Sequence, residues 1–219
     1  MPGCLAAGRV VKLLVGLGNP DARYVDTRHN AGFLVVETFA GPDAGAWLEK
    51  WDARVLRVRR RGSDVLVAEP QTYMNLSGRS VGKILRFHGL GPEDLLVVHD
   101  EVDLPLGRLK VEAGGSDNGH RGIRSVIENL GTDCFARLRV GVGRPVGPWP
   151  DMVDHVLSKF CDDELDALGE TLTRAVGAIE EWVAGGVVRA QNRVNRRPRP
   201  AKPSCPGVEP GPQDREEDG

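Results

Sequence analysis

Continuous apolar runs alternate along the chain with stretches of helical period. Val10-Val11-Lys12-Leu13-Leu14-Val15 is almost wholly apolar and predicts a buried strand over 10–15. Over Ala31–Ala40 the apolar residues Phe33, Val36 and Phe39 recur at helical spacing, and Gly41-Pro42 ends the segment. Residues 54–60 alternate apolar with basic, and Val65-Leu66-Val67-Ala68 follows Gly62-Ser63-Asp64, so the two stretches predict a hairpin. Ser77–His88 predicts a helix with Gly89 just past its end. The apolar run 95–99 has the composition of a central strand covered on both faces, and 109–111 predicts a shorter strand. A helix over 122–130, a strand over 138–142 and a long amphipathic helix over 163–183 complete the series. The sum is an α/β fold: a single domain with a mixed, mainly parallel central sheet and helices on both faces.

This patterning stops near residue 196. Six of the 24 residues from Arg196 onward are proline, none is aromatic, and five basic residues balance five acidic ones. Such a segment has too little apolar surface to offset the entropy of ordering it. The expected organisation is therefore a folded domain over 1–195 and a disordered, proline-rich charged tail over 196–219. The whole chain carries 29 Lys and Arg against 31 Asp and Glu, a net charge of −2, so any contact with nucleic acid must be a local patch. No apolar stretch nears the ~20 residues that span a bilayer. The first residues lack the charged and apolar regions of a secretory signal. The four cysteines, Cys4, Cys134, Cys161 and Cys205, are widely spaced and form no CxxC pair, as expected of free thiols in a reducing compartment. These features predict a cytoplasmic protein with no membrane partner.

The glycines after the first strand raise a dinucleotide-binding possibility and then remove it. Gly16-x-Gly18 begins the fingerprint, but Asp21 stands where its third glycine belongs, and Asn19-Pro20 interrupts the run into a helix. The five histidines, His29, His88, His99, His120 and His155, form no HxxxH or HExxH pair, so no protein-held metal is expected. His88, at a helix end, is expected to meet that helix's carbonyls, and His155 to be structural or solvated. His29 lies just before a predicted helix, whose N-terminal field disfavours imidazolium and leaves a neutral ring able to act as a general base. Asp100 emerges at the carboxyl end of a buried strand, where α/β sheets hold their ligands, and a carboxylate there can orient a histidine. Asn75 in "QTYMNLSG" and Asn118 in "GGSDNGHRG" set amides beside helix starts, which suits an oxyanion or a phosphate.

Together these turns resemble one family, the bacterial-type peptidyl-tRNA hydrolases. The matching stretches are "VGLGNPDARYVDTRHNAGF", "PQTYMNLSGRSV", "VVHDEVDLPLGRLKVEAGGSDNGHRGIRSVI" and "FARLRVGVGRP". The resemblance implies an esterase that cleaves the bond between peptide and tRNA, recycling tRNA, as a monomer without metal or cofactor. It implies His29 as the base, Asp100 as its partner, and Asn19 as the group that binds substrate and distinguishes peptidyl from aminoacyl ends. Tyr24, Tyr73 and Asn75 fall where the family contacts the acceptor end, and His120 matches a position at the mouth of the cleft. Two positions depart from the pattern: Arg121 replaces an asparagine, and Glu112 replaces a lysine that holds the tRNA 5′-phosphate. Arg139 keeps the companion basic position, with Lys110 on the same strand face as Glu112. The rival reading is a non-catalytic relative that uses the same cleft to bind RNA; its mark would be loss of the base or its carboxylate.

Overall fold

A computed structural model of the chain describes residues 12–144 and 152–195. Seven strands form one sheet: β1 (Lys12–Gly16), β2 (Leu48–Lys50), β3 (Ala53–Arg60), β4 (Ser63–Pro70), β5 (Leu95–Glu101), β6 (Leu109–Glu112) and β7 (Ala136–Gly141). Their order is β2-β3-β4-β1-β5-β7-β6. The central strands β4, β1, β5 and β7 run parallel, while β2, β3 and β6 pair antiparallel at the flanks. The mixed sheet follows from its connections, since tight turns join β2, β3 and β4 and helical crossovers join the parallel strands.

Helices α1 (Ala31–Ala40) and α5 (Leu165–Val194) cover one face, and α2 (Ser77–His88) and α3 (Arg121–Leu130) cover the other. Strand residues serve the two faces in turn. Leu14, Leu96 and Val98 pack in the α1 and α5 core, whereas Leu13, Val15, Leu95 and Val97 pack in the α2 and α3 core. Both faces being covered explains why these strands read as unbroken apolar runs.

The glycines after β1 serve close packing. A Cβ on Gly16 would collide with the Gly32 carbonyl, and one on Gly32 would collide with the backbone of Leu17 and Val98. The strand end and the start of α1 are thus in backbone contact. That contact brings the turn carrying Asn19 against the turn carrying His29.

Several boundaries differ from the sequence expectations. The short edge strand β2 and the six-residue helix α4 (Met152–Leu157) were not expected, and α5 extends to Val194 rather than 183. Its long course is broken at Gly185 and Gly186, where φ reaches +79° at Gly186 and the helix kinks. Beyond the kink, Asn195 caps the sheet edge: its Oδ1 accepts from Val111 N–H, and its Nδ2 donates to Val111 C=O, each at 2.8 Å. The expected tail over 196–219 lies outside the described residues, as do Cys4 and Cys205; Cys134 and Cys161 are free. No described helix is long and apolar enough to cross a membrane.

Candidate active site

Four loops at the carboxyl ends of the parallel strands surround a cleft of about 490 Å³. The turn after β1 supplies Asn19 and Tyr24, and the turn before α1 supplies His29. The turn after β4 supplies Tyr73 and Asn75, β5 ends in Asp100, and the start of α3 adds His120 and Arg121. Residues at the carboxyl edge of a parallel sheet converge because the strands all end on one side.

At the floor, Asp100 is 3% exposed and its Oδ1 lies 2.9 Å from His29 Nδ1. Burial alone would push this carboxyl up, but the His29 and His120 rings outweigh it and hold it well below the usual carboxylate range. An ionised Asp100 draws the His29 proton to Nδ1, which leaves Nε2 as the basic nitrogen. Burial also works to lower the His29 pKa, yet the Asp100 charge and hydrogen bond raise it above the ordinary value, with Arg121 opposing them. The expectation that a helix N-terminus governs this ring is therefore corrected. His29 sits in the single-turn 3-10 segment Arg28–Asn30, and the carboxylate 2.9 Å away dominates.

Asn19 is fixed by its neighbours. Its N–H donates to Asn30 Oδ1 at 2.8 Å, Asn30 Nδ2 donates back to its C=O at 3.1 Å, and its own Oδ1 accepts from Met74 N–H at 2.9 Å. With Oδ1 occupied, Asn19 Nδ2 is the end of the amide left for a ligand. Asn30 was not singled out from the sequence, although it lies in the stretch "VGLGNPDARYVDTRHNAGF" beside His29. The adjacent Arg28 ties that turn down through a two-pronged contact with Glu164 at 3.0 and 2.7 Å. The Asn75 side chain makes no hydrogen bond to a described residue and lines the cleft, and Tyr73 is 57% exposed beside it. Tyr24 lies across the cleft with the Arg23 guanidinium 5.1 Å from its ring.

His120 is not a rim residue. Its Nε2 donates to the same Asp100 Oδ1 at 2.9 Å, and its side chain is more buried than that of His29. His99, which the sequence left without a role, donates from Nδ1 to the Asp100 main-chain oxygen at 2.7 Å and meets the His120 ring edge-on at 4.7 Å. Burial, then the His120 ring, hold the His99 pKa well below its ordinary value.

The three groups His29, Asp100 and His120 also present donor atoms within 4.8 Å of one another, the spacing of a possible cation site. They fit a cation poorly. A metal on His120 Nε2 would force the ring proton to Nδ1, which already accepts from two backbone N–H groups.

Two further expectations change. Arg139 lies outside the cleft and is buried between carboxylates. Its Nε donates to Glu101 Oε2 at 2.7 Å, with Nη2 on the same oxygen, and its Nη1 donates to Glu112 Oε2 at 3.0 Å. Lys110 Nζ meets Glu112 Oε1 at 2.6 Å, as their shared strand face required. The guanidinium is thus neutralised within the sheet instead of standing open to a phosphate. His88 does not meet its helix carbonyls: its Nε2 is buried without a hydrogen-bond partner, and the ring packs against Trp51 and Phe87. His155 is structural, with Nε2 donating to Gly143 C=O at 2.9 Å. The remaining wall of the cleft is apolar, formed by Met152, Val153, Val156 and Leu157 of α4. Their helical spacing was legible in the sequence and would have predicted this short amphipathic element.

A buried carboxylate, a histidine it orients, and amide groups facing one cleft define a hydrolase-type site on an α/β sheet. Comparison with known proteins agrees. The family model described as peptidyl-tRNA hydrolase matches residues 13–202. The peptidyl-tRNA hydrolase of Desulfitobacterium hafniense is 42% identical over 186 residues, covering 85% of this chain and 100% of the relative. That of Symbiobacterium thermophilum is 44% identical over 189 residues, with the same two coverages. The crystal structure of peptidyl-tRNA hydrolase from Acinetobacter baumannii superposes with a TM-score of 0.78 at 36% identity, covering 84% of this chain and 94% of that one. The chain belongs to the peptidyl-tRNA hydrolase family.

Proposed function

We propose that this protein hydrolyses the ester joining a peptide to the ribose of its tRNA, with His29 as general base. The observation that carries the reading is the His29 Nδ1 to Asp100 Oδ1 contact of 2.9 Å in a cleft that Asn19 and the Asn75 amide also line. Nε2 of His29 takes a proton from water as the water oxygen attacks the ester carbonyl carbon. The carbonyl oxygen gains negative charge, which Asn19 Nδ2 and the Asn75 amide can stabilise by donating. Collapse of the tetrahedral intermediate breaks the bond to the ribose oxygen, and the imidazolium returns the proton to that leaving group. Asp100 stabilises the imidazolium between the two transfers. An ester is already activated, so a base, two amides and positioning suffice without a metal.

Tyr24, Tyr73 and the guanidinium of Arg121 border the cleft and are assigned to the acceptor end of the tRNA, where Arg121 can pair with phosphate. One chain supplies every group in this scheme, so the proposal includes a monomeric enzyme. The rival reading, RNA binding without cleavage, is disfavoured by the intact base and carboxylate. The test is cleavage of a peptidyl-tRNA beside the matching aminoacyl-tRNA, with a chelator present. Selective release of the peptide supports the proposal; binding without release supports the rival.

A further inference from the structure

One carboxylate oxygen carries two histidines. Asp100 Oδ1 lies 2.9 Å from His29 Nδ1 and 2.9 Å from His120 Nε2, and the two rings are 5.2 Å apart. His120 is oriented from behind by the first turn of α3. Its Nδ1 accepts from Gly122 N–H at 3.1 Å and from Ile123 N–H at 3.2 Å, two donors that a helix start leaves open. A nitrogen accepting two N–H groups carries no proton, so the ring proton sits on Nε2 and points at Asp100. His120 is therefore a fixed donor whose tautomer is set by the backbone.

We propose that His120 is a positioning residue for hydrolysis: by donating to the oxygen that His29 also uses, it limits the pull of Asp100 on the His29 proton and keeps the base available at neutral pH. The inference rests on His29 being the base. A hydrogen bond donated to an ionised carboxylate partly offsets its charge, and the His120 N–H donates to the same oxygen that His29 meets. Glu101, Tyr24 and Tyr73 also line the cleft, and Asp154 and His155 lie on α4, which packs against the His29 turn. Asp100 of β5 favours imidazolium, while Arg121 of α3 and burial oppose it. His99 of β5 bonds the main-chain oxygen of Asp100 and leaves its carboxylate alone.

The two bonds of His120 can be separated. His120→Ser and His120→Asn retain an oxygen to cap α3 but are too short to reach Asp100. His120→Gln retains a donor at the Nε2 position and loses the cap. The His29 ring is titrated by NMR in the full chain, and the pH profile of peptidyl-tRNA turnover is measured beside it. Loss of the donor should raise the His29 titration by about one pH unit and move the acid limb of turnover with it, whereas His120→Gln should titrate like the parent. Equal titration in all variants, or a shift in His120→Gln as large as in His120→Ser, would overturn the proposal. The His29→Ala variant separates the two claims. If it keeps full turnover, the base assignment fails; if it is inactive while the His120 variants leave the His29 titration unmoved, only the present inference fails.

Discussion

At the scale of single residues, Asp100 is the hinge of the site, because one buried oxygen orients one histidine and accepts from another. Its negative charge favours the imidazolium form of His29, so the His29 pKa lies above its ordinary value against the cost of burial. Asp100→Asn removes that charge and should move the acid limb of the turnover profile to lower pH while slowing the reaction. An upward move, or an unchanged profile, would separate the two residues. These roles were only partly legible in the sequence. His29 and Asp100 could be nominated from a turn before a helix and a strand end. That His120 bonds Asp100 depends on a helix N-terminus turning a ring by its backbone, which no spacing along the chain reveals. Arg139 misled for a related reason: a basic residue in sequence carries no sign of the two carboxylates, Glu101 and Glu112, that enclose it.

At the scale of elements, the two-residue period of β5 sorts the site. Leu95 and Val97 face α2 and α3, and His99 follows them toward the start of α3; Leu96 and Val98 face α1, and Asp100 follows them toward His29. This sorting was available from the alternation alone, whereas the edge strand β2 was too short to give a pattern. On β4, Glu69 presents a different case. It is fully buried, neither carboxylate oxygen has a hydrogen-bond partner, and Arg54 Nη1 approaches to 3.1 Å without the alignment of a bond. Burial, with Glu37 adding to it, pushes its pKa up to about 8. A carboxyl protonated when folded and ionised when unfolded costs nothing below its unfolded pKa near 4.5. Stability is then lost progressively as pH rises toward 8. Glu69→Gln should therefore leave the melting temperature near pH 4.5 unchanged and raise it at pH 8. A melting curve that gains equally at both values would contradict the burial argument.

At the scale of the whole molecule, backbone contact between Gly16 and Gly32 holds one side of the cleft, and α4 closes the other with an apolar wall. The C-terminal helix reaches past its kink to seal the β6 edge through Asn195. An open strand edge invites pairing with other chains, so this amide both stabilises the fold and covers the edge. Asn195→Ala removes two hydrogen bonds worth about 1–2 kcal/mol together and should lower the melting temperature by roughly 3–6 °C. No change on differential scanning calorimetry would show the contact to be dispensable. The layered α/β architecture was readable from the alternation of periods, because covered strands and amphipathic helices each leave a distinct signature. The kink was not, since Gly185-Gly186 interrupts a pattern that continues on both sides.

The central claim is that His29 activates water for ester cleavage. It is tested most directly by single-turnover cleavage of a peptidyl-tRNA at saturating enzyme, comparing the parent with His29→Ala and measuring tRNA affinity in parallel. The account predicts a rate lowered by ~10²–10⁴-fold with affinity changed only a few fold, as expected for loss of a general base. Near-parental cleavage by His29→Ala at saturation would contradict it.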